Sequence, residues 1–499
     1  MADYDVIVIG AGNGGVSSGA LLAKQGRKVL VLEQGRSIGG CCSSFKKEGY
    51  TFDVGASIVE VIKPIELAFA KLGTTFQREV DLIECDPVMT IIDRDGSRIT
   101  YPRSIEKTAE TISAISPSDG KRWRQFVRLM SEFTDVALNA FFTEPADSLS
   151  DMAKMFAKDP RFFKFIPLFM KSYQDIMEKY FKDERILKTM GYQSLYFGHP
   201  PAMIPGMFAL IPYTEHMGVY YPRGGMIQIP EAFRRCGEKL GMNVRLNTLV
   251  KKVLVRNRKV EGVMLSDGTE ITSNLVVSNI NAKTLYLDLI GEEHLPGLVR
   301  KGIKSYKYSK GVPMIYVGLD YKPPLDSHHS LIAVTPQDVN DYWFNNVEKG
   351  ILPENNFGLI CWPTHADKSL APEGHHVLNL IPEGFYRLDG TNWDEEKPRF
   401  VERTLKALDK FAIPGLMDHI KVIECTSPLD FERKLLLPEG SIYALQQDLP
   451  AAAAFRPNAR SRAIKGLYLT GSSAHPGGGV PTTIASGYIA SNLIEKYEQ

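Results

Sequence analysis

The stretch DYDVIVIGAGNGGVSSGALLAKQGRKVLVLEQG, residues 3–35, decides the fold. The apolar run at 4–9 predicts a β-strand, the segment 16–25 predicts a helix with small residues on its inner face, and 28–32 predicts a second strand. A glycine-rich turn lies between the first strand and the helix. This order is that of a βαβ unit, and it predicts an α/β fold of the Rossmann type.

The turn carries its glycines in the spacing G-x-G-x-x-G. Such a turn needs Gly10 for the tight bend, Gly12 for the approach of a pyrophosphate, and Gly15 for close packing of the helix on the strand. Glu33 ends the second strand 18 residues after Gly15 (33 − 15), where a carboxylate accepts hydrogen bonds from a ribose. A chance glycine-rich turn is the alternative. The predicted dinucleotide-binding residues are Gly10, Gly12, Gly14, Gly15 and Glu33.

The segment GRSIGGCCSSFKKEGYTFDVGAS, residues 35–57, follows this acid and holds a glycine doublet and an F-D-x-G motif. On these motifs the chain resembles, over nearly its whole length, the phytoene desaturase, carotenoid isomerase and retinol saturase group of the flavin amine oxidase superfamily. The resemblance implies FAD rather than NAD as the cofactor, with the glycine doublet packed beside it. The residues of this contact are Gly39, Gly40 and Cys41.

The same segment leaves the reaction open. GGCC is more similar to the retinol saturases, whereas GYTFDVGAS is more similar to the desaturases and the carotenoid isomerases. An ordinary turn is the alternative for the glycine doublet. The six cysteines of the chain include no C-x-x-C pair, so we interpret Cys41 and Cys42 as small packing residues rather than redox thiols.

The block 218–282 predicts an aromatic strand, a turn at Gly224 and Gly225, an amphipathic helix, and then short strands joined by hairpin turns. In the resembling family this block completes the FAD-binding domain, and the backbone at Val250 faces the adenine. A plain β-meander is the alternative for Val250.

The C-terminal stretch GLYLTGSSAHPGGGVPTTIASG, residues 466–487, predicts a strand, a glycine-rich loop and the start of a helix. The family pattern implies that this loop passes the cofactor and that the helix N-terminus points at the flavin pyrimidine ring. A helix N-terminus carries about half a positive charge, which favours the negative charge of a reduced flavin. The implied cofactor-binding residues are Gly471, Gly479, Val480, Pro481 and Thr482. His475 is a candidate catalytic base, with a packing or hydrogen-bonding role as the alternative.

With these blocks, the resemblance implies a discontinuous, Rossmann-like FAD-binding domain of the GR2 type beside a mixed α+β substrate domain. The FAD-binding segments are 1–60, 218–282 and 437–499. The substrate-domain segments are 61–217 and 283–436. Strand patterns at 312–321 and 356–364 predict a sheet beneath the substrate site. The segments 162–181 and 200–216 are rich in Phe and Met, which suits a long apolar ligand, with a helical core as the alternative.

The composition excludes several other classes of protein. Among 499 residues, 59 basic and 58 acidic side chains give a formal charge of +1, and there is no long basic run, so we expect no nucleic-acid partner. Neither a metal-binding motif nor an export signal is found, and we expect no metal and a reducing cytosol. No run of about 18 apolar residues predicts a membrane span.

The sequence therefore predicts an FAD-dependent enzyme acting on carbon-carbon bonds of a hydrophobic polyene or isoprenoid lipid, by dehydrogenation, saturation or isomerisation. A quinone or another electron acceptor is an expected partner. A flavin amine oxidase acting on a small amine, or a non-catalytic flavoprotein, is the alternative.

A water-insoluble substrate implies peripheral attachment to a membrane surface, and we place this contact near residues 160–210. A pair of core helices is the alternative. The apolar residues of the predicted contact are Phe162, Phe163, Phe165, Leu168 and Phe169. The basic residues are Lys154, Lys158, Arg161, Lys164, Lys171 and Lys179.

Overall fold

The computed structural model describes residues 2–145, 148–354, 358–446 and 456–498. Its strands are β1 (Val6–Ile9), β2 (Val29–Leu32), β3 (Ser44–Lys47), β4 (Tyr50–Asp53), β5 (Leu82–Glu84), β6 (Met89–Ile92), β7 (Arg98–Tyr101), β8 (Tyr220–Pro222), β9 (Asn243–Arg245), β10 (Val250–Arg256), β11 (Lys259–Leu265), β12 (Glu270–Thr272), β13 (Val276–Ser278), β14 (Met314–Leu319), β15 (His329–Ile332), β16 (Gly358–Cys361), β17 (His376–Pro382), β18 (Ile420–Thr426) and β19 (Leu467–Leu469).

The α-helices of the same ranges are α1 (Asn13–Lys24), α2 (Lys63–Leu72), α3 (Phe76–Glu79), α4 (Ile105–Ile115), α5 (Pro117–Ala140), α6 (Leu149–Lys158), α7 (Ile166–Phe169), α8 (Tyr173–Tyr180), α9 (Glu184–Met190), α10 (Ile211–Thr214), α11 (Gln228–Lys239), α12 (Gly297–Ser305), α13 (Pro336–Asn345), α14 (Pro363–Ala366), α15 (Trp393–Phe411), α16 (Pro428–Leu435) and α17 (Val480–Tyr497). Short 3-10 turns and one π-helical segment, Thr284–Gly291, join some of these elements.

A parallel five-stranded sheet carries the glycine-rich turn. Its strand order is β19-β13-β1-β2-β9, and every neighbouring pair is parallel. Strands β1 and β2 are buried along their whole length, which is the reason that they read as continuous apolar runs. Helix α1 packs against α11 and α17. The predicted βαβ unit and the α/β fold class are thus confirmed.

Helix α1 begins at Asn13, earlier than the start predicted at residue 16, and its first turn includes two glycines. A Cβ on Gly14 would lie 2.6 Å from the backbone nitrogen of Gly471. A Cβ on Gly15 would overlap the carbonyl oxygen of Gly10. Apolar periodicity does not mark a helical turn whose residues are chosen for close backbone approach, and the prediction therefore began the helix too late.

A three-stranded antiparallel meander, β10-β11-β12, follows β9 in the chain. The predicted hairpin turn at Asn257 and Arg258 joins its first two strands, and both residues have positive φ, 50° and 55°. Two consecutive left-handed residues are typical of the type I′ turn, whose twist matches that of the flanking strands. Val250 is the first residue of β10.

A second, mixed sheet has the strand order β18-β14-β17-β16-β15-β6-β7. Its pairs are antiparallel except for β6 with β15, which is parallel. Strands β14 and β16 lie within the predicted strand patterns. Helices α4, α6, α8 and α10 pack around α5. The strands of the parallel sheet lie in the segments assigned to the FAD-binding domain and those of the mixed sheet in the others, while the domain boundaries themselves stay a prediction.

Candidate cofactor and substrate cavity

A cavity of about 760 Å³ lies at the carboxyl ends of β1, β2, β13 and β19. This edge of a parallel sheet is where open α/β folds bind their ligands. Glycine-rich loops and a larger set of apolar side chains share the lining. The predicted cofactor-binding residues that line the cavity are Gly10, Gly12, Gly14, Glu33, Gly39, Gly40, Cys41, Val250, Gly471, Gly479, Val480, Pro481 and Thr482.

Gly15 and His475 are the two predicted site residues outside this lining. Gly15 packs against the backbone of Gly10, as described above. His475 is 1% exposed, and its Nε2 lies 2.8 Å from the carbonyl oxygen of Phe141. Burial lowers the pKa of His475 to about 4. This environment favours the hydrogen-bonding role, and a role for His475 in proton transfer stays a prediction.

Glu33 accepts a hydrogen bond on each carboxylate oxygen, one from the glycine-rich turn and one from the loop that follows β2. The backbone N–H of Ala11 donates to Oε2 at 2.7 Å, and the N–H of Gly35 donates to Oε1 at 2.8 Å. A carboxylate has lone pairs for further donors, so these bonds leave acceptor positions for a ribose hydroxyl. Glu33 therefore orders the loop on which the dinucleotide would lie.

Asn279 stands at the meeting point of the glycine loops, and the sequence patterns did not reveal it. It follows β13 directly and lines the cavity. A Cβ on Gly12 would lie 2.7 Å from Nδ2 of Asn279, and a Cβ on Gly14 would lie 2.6 Å from its Oδ1. The signal that could have found it is its place just after a buried parallel strand, since the strand ends converge at one edge.

The first turn of α17 lines the cavity from the opposite end of the chain. Gly479 precedes it with φ of +118°, a conformation that side chains disfavour. The hydroxyls of Thr482 and Thr483 each donate to the carbonyl oxygen of Gly479 at 2.8 Å, which fixes the loop against the helix. The helix N-terminus thus faces the ligand space, as the family pattern implies.

The two adjacent cysteines are in apolar surroundings. Burial raises the pKa of the Cys41 thiol to about 11 and that of Cys42 to about 12. The Cys42 thiol lies 3.4 Å from the carbonyl oxygen of Met226. Neutral thiols of this kind are poor nucleophiles and poor redox groups, in agreement with a packing role.

The remaining lining is mostly apolar and includes much of the Phe-rich and Met-rich segment. From the Phe-rich and Met-rich segments the lining includes Phe162, Ile166, Phe169, Met207, Phe208, Leu210 and Ile211. From α5, the residues just after it and the 3-10 turn at Tyr192–Phe197, the lining includes Phe133, Val136, Ala137, Phe141, Phe142 and Leu195. Residues Phe165 and Leu168 instead belong to the core, whereas Phe163 is 60% exposed and Met170 is 82% exposed. The segment therefore serves as core, cavity wall and surface at once.

The predicted basic contacts near this segment are partly neutralised. Arg161 forms ion pairs with Asp135 and Asp159, and Lys164 forms one with Glu132. Lys154 lies 3.8 Å from Asp151. The side chain of Lys158 lies outside the described residues.

The described ranges contain no group of three or more His, Cys, Asp or Glu side chains that could hold a metal ion. In those same ranges, no helix is both long enough and apolar enough to cross a membrane.

The loops fit a flavin dinucleotide, because the glycines leave a backbone cradle that a Cβ would fill and the first turns of α1 and α17 both line it. The class of protein so defined is a dinucleotide-binding enzyme of the Rossmann type. Residues 14–494 match the family described as flavin containing amine oxidoreductase, and the chain belongs to this family. The cofactor is FAD, and the protein is a flavin-dependent oxidoreductase.

Three similar curated relatives are phytoene desaturases. The chain is 30% identical to a phytoene desaturase of Fusarium fujikuroi, over 98% of the chain and 89% of the relative. It is 29% identical to the neurosporene-forming phytoene desaturase of Rhodobacter capsulatus (98% and 93%) and 28% identical to the lycopene-forming enzyme of Pantoea ananas (98% and 98%). The resemblance inferred from the motifs is confirmed.

Solved structures share the fold at low sequence identity. An oxidoreductase from Methanosarcina mazei has a TM-score of 0.66 at 17% identity, over 98% of this chain and 99% of that one. Putrescine oxidase has a TM-score of 0.62 at 16% identity, over 99% of each chain. At these identities the likeness concerns the fold alone.

Proposed function

We propose that this protein is an FAD-dependent oxidoreductase that acts on carbon-carbon bonds of a long, hydrophobic polyene or isoprenoid. One observation carries the proposal: an apolar lining continues from the glycine loops to Ile166, which is 46% exposed at the surface. Such a lining suits an extended hydrocarbon better than a small, hydrated amine. The names of the curated relatives support dehydrogenation as the reaction.

The chain's own contribution is to bind, to orient and to exclude water. Gly12, Gly14 and the first turn of α17 would hold the cofactor, with Glu33 ordering the turn beneath it. When bound, FAD supplies a two-electron acceptor for hydrogen taken from carbon. The apolar walls hold the hydrocarbon in a dry space, where competing reactions with water are prevented.

The test is anaerobic incubation of the FAD-loaded protein with phytoene, retinol, a poly-cis carotene and putrescine, followed by chromatography and mass spectrometry. We expect a polyene product that is lighter by a pair of hydrogen atoms. A heavier product would indicate saturation, and a product of equal mass but changed geometry would indicate isomerisation. Oxidation of putrescine with every polyene unchanged would refute the proposal.

Repeated turnover needs an electron acceptor that reoxidises the flavin. We assign this role to a quinone or a similar acceptor that dissolves in the same lipid as the substrate. In the anaerobic assay, conversion should stop after one molecule of product has formed for each flavin and should resume when a quinone is added. Unlimited conversion without any acceptor would contradict this assignment.

We further propose peripheral attachment to a lipid surface, on the cytoplasmic side, through Phe163, Ile166 and Met170. These side chains are 60%, 46% and 82% exposed, and Ile166 also lines the cavity, so the exposed apolar residues and the cavity wall share a residue. An exposed apolar patch continuous with a ligand cavity is typical of a membrane contact. The six free cysteines fit a reducing compartment.

Flotation with anionic liposomes tests the attachment. The variant F163S/M170S should lose most binding while FAD content and thermal unfolding stay as in the wild type, because both side chains lie outside the core. The matched control is L298S, since Leu298 is 88% exposed on α12. Equal flotation of all three proteins would contradict the proposed contact.

A further inference from the structure

Glu60 differs from the other acidic residues that line the cavity. In the described chain these residues are Glu33, Glu60 and Glu383. Glu33 is held by two backbone N–H groups, and Glu383 forms a buried ion pair with Lys310. The cavity's histidine, His329, has its Nε2 3.1 Å from a serine hydroxyl. Among the described residues, Glu60 is thus the cavity carboxyl with neither a cation nor a pair of fixed donors.

The contacts of Glu60 allow it to gain and lose a proton without a backbone movement. Thr214 Oγ1 lies 3.4 Å from Glu60 Oε2 and 3.0 Å from the carbonyl oxygen of Ile211. A threonine hydroxyl has one hydrogen, and a carbonyl oxygen can only accept. When Thr214 donates to Ile211, Glu60 must carry the proton that makes its own contact, and when Glu60 is ionised the hydroxyl turns toward it. One hydroxyl rotation separates the two states.

A second buried carboxyl, that of Glu215, interacts electrostatically with Glu60. Glu215 is 3% exposed, its Oε2 has no hydrogen-bond partner, and Gln193 bonds to the same carboxyl group. Burial, together with the negative charge of Glu60, raises the pKa of Glu215 well above the usual value. Burial raises the pKa of Glu60 to about 7. Tyr173, the other titratable group that faces Glu215, donates its hydroxyl to the carbonyl oxygen of Met190.

The surroundings of Glu60 and Glu215 suit the two carboxyls to different roles. Burial favours the neutral form of Glu215, and no cation is among the groups that act on it in the described chain. Glu60 lines the cavity, whereas Glu215 does not, so Glu60 is the carboxyl that can exchange a proton with a bound substrate. A carboxyl that exchanges its proton near the working pH is suited to general acid-base chemistry.

We propose that Glu60 is the group that accepts the substrate's proton during dehydrogenation, which rests on the proposed function. FAD, when bound, would supply the acceptor for the hydride that leaves one carbon of the substrate with the electron pair of its C–H bond. The C–H bond on the neighbouring carbon then gives its proton to the Glu60 carboxylate, and its electron pair forms the new carbon-carbon double bond. Glu215 takes no part in the step.

The experiment follows anaerobic reduction of the bound flavin by phytoene in one turnover, across the pH range, for the wild type, E60Q and E215Q. The wild-type rate should rise with pH through about 7, because the base must be ionised. E60Q should be about 100-fold to 10,000-fold slower and should lack this pH dependence. E215Q is the matched control: a buried neighbour with the same amide substitution, which should keep the rate and the pH profile.

A second readout does not depend on activity. Infrared difference spectra of the FAD-loaded proteins after a pH change should show a carboxyl titrating near 7 in the wild type and in E215Q, but not in E60Q. If E60Q does not fold, the comparison of the wild type with E215Q still shows whether the titrating carboxyl is that of Glu215. A titration that vanishes in E215Q belongs to Glu215 and overturns the proposal.

The remaining outcomes distinguish failure of the proposed role of Glu60 from failure of the proposed function. Wild-type conversion with an unchanged rate and pH profile in E60Q refutes the role of Glu60 alone. In E60Q, a higher phytoene concentration at half-maximal flavin reduction with an unchanged limiting rate makes Glu60 a contact for substrate binding and also overturns the proposal. A wild-type enzyme that leaves every polyene unchanged refutes the proposed function, and with it this role.

Discussion

Replacement of Glu33 is the sharpest probe of the cofactor site, because the carboxylate bonds to the turn as well as facing the cavity. The variant E33A removes the acceptors of the Ala11 and Gly35 N–H groups, at 2.7 and 2.8 Å. A hydrogen bond to a charged group contributes about 1.5 to 3 kcal/mol. Loss of one such interaction with the ribose would weaken FAD binding roughly tenfold to a hundredfold.

The amide variant E33Q alters the same two hydrogen bonds more conservatively. In E33Q one side-chain oxygen still accepts, but the NH2 group replaces the other oxygen and faces a backbone donor. E33Q can therefore satisfy either Ala11 or Gly35, and we expect its FAD affinity to lie close to that of E33A rather than to that of the wild type. Both variants should also unfold at a lower temperature without cofactor, because these bonds belong to the protein itself.

The assay is titration of apoprotein with FAD by flavin fluorescence, with thermal unfolding of the same samples. Glu373, an exposed glutamate outside the cavity lining, supplies the control E373A, which should match the wild type. An unchanged dissociation constant for FAD in E33A would refute the assignment of Glu33. Lower thermal stability with unchanged affinity would limit Glu33 to ordering the turn.

Two further predictions concern stability. G14A should cost about 1 to 3 kcal/mol by overpacking against Gly471, whereas G302A in α12, where a Cβ meets nothing within 4 Å, should be neutral or stabilise by up to about 1 kcal/mol; equal thermal midpoints would contradict this. The raised pKa values of Glu60 and Glu215 give stability that is full below the unfolded value of 4.5 and is lost as the pH rises through the folded pKa of each group, which for Glu60 is about 7. Urea unfolding should therefore show a lower midpoint at about pH 8 than at about pH 5, with a smaller difference in E215Q, and an unaltered difference in that variant would count against the assignment.

The fold was predictable where its signals are local. The βαβ unit has a continuous apolar run, a glycine turn and a second run within 35 residues, and the structure has all three. The order of the parallel sheet was not predictable in the same way, since β9, β13 and β19 pair with strands far away in the chain. The parallel pairing of β6 with β15 inside a mixed sheet has no sequence signal either.

The residues of the site were likewise predictable only where their signals are local in the sequence. The glycine loops were predicted because each position has a steric requirement that glycine alone meets. Asn279 was missed because its role depends on three loops that meet only in the folded chain. Glu60 is a single acid in the apolar run ASIVEVI, residues 56–62, and that isolation was a signal. Its electrostatic interaction with Glu215 joins residues far apart in the chain and has no such signal. The burial of His475 likewise depends on Phe141 from a distant helix end.

The architecture separates the cofactor from the choice of substrate. The ends of β1, β2, β13 and β19 supply the cofactor loops, and a fold shared with putrescine oxidase at 16% identity shows that such a scaffold alone does not fix the substrate. The wall that could select a substrate comes from inserted segments, above all α5 and the residues around Ile166. A change of lining there can therefore alter substrate preference while FAD binding stays intact, because the two sets of residues lie on different elements.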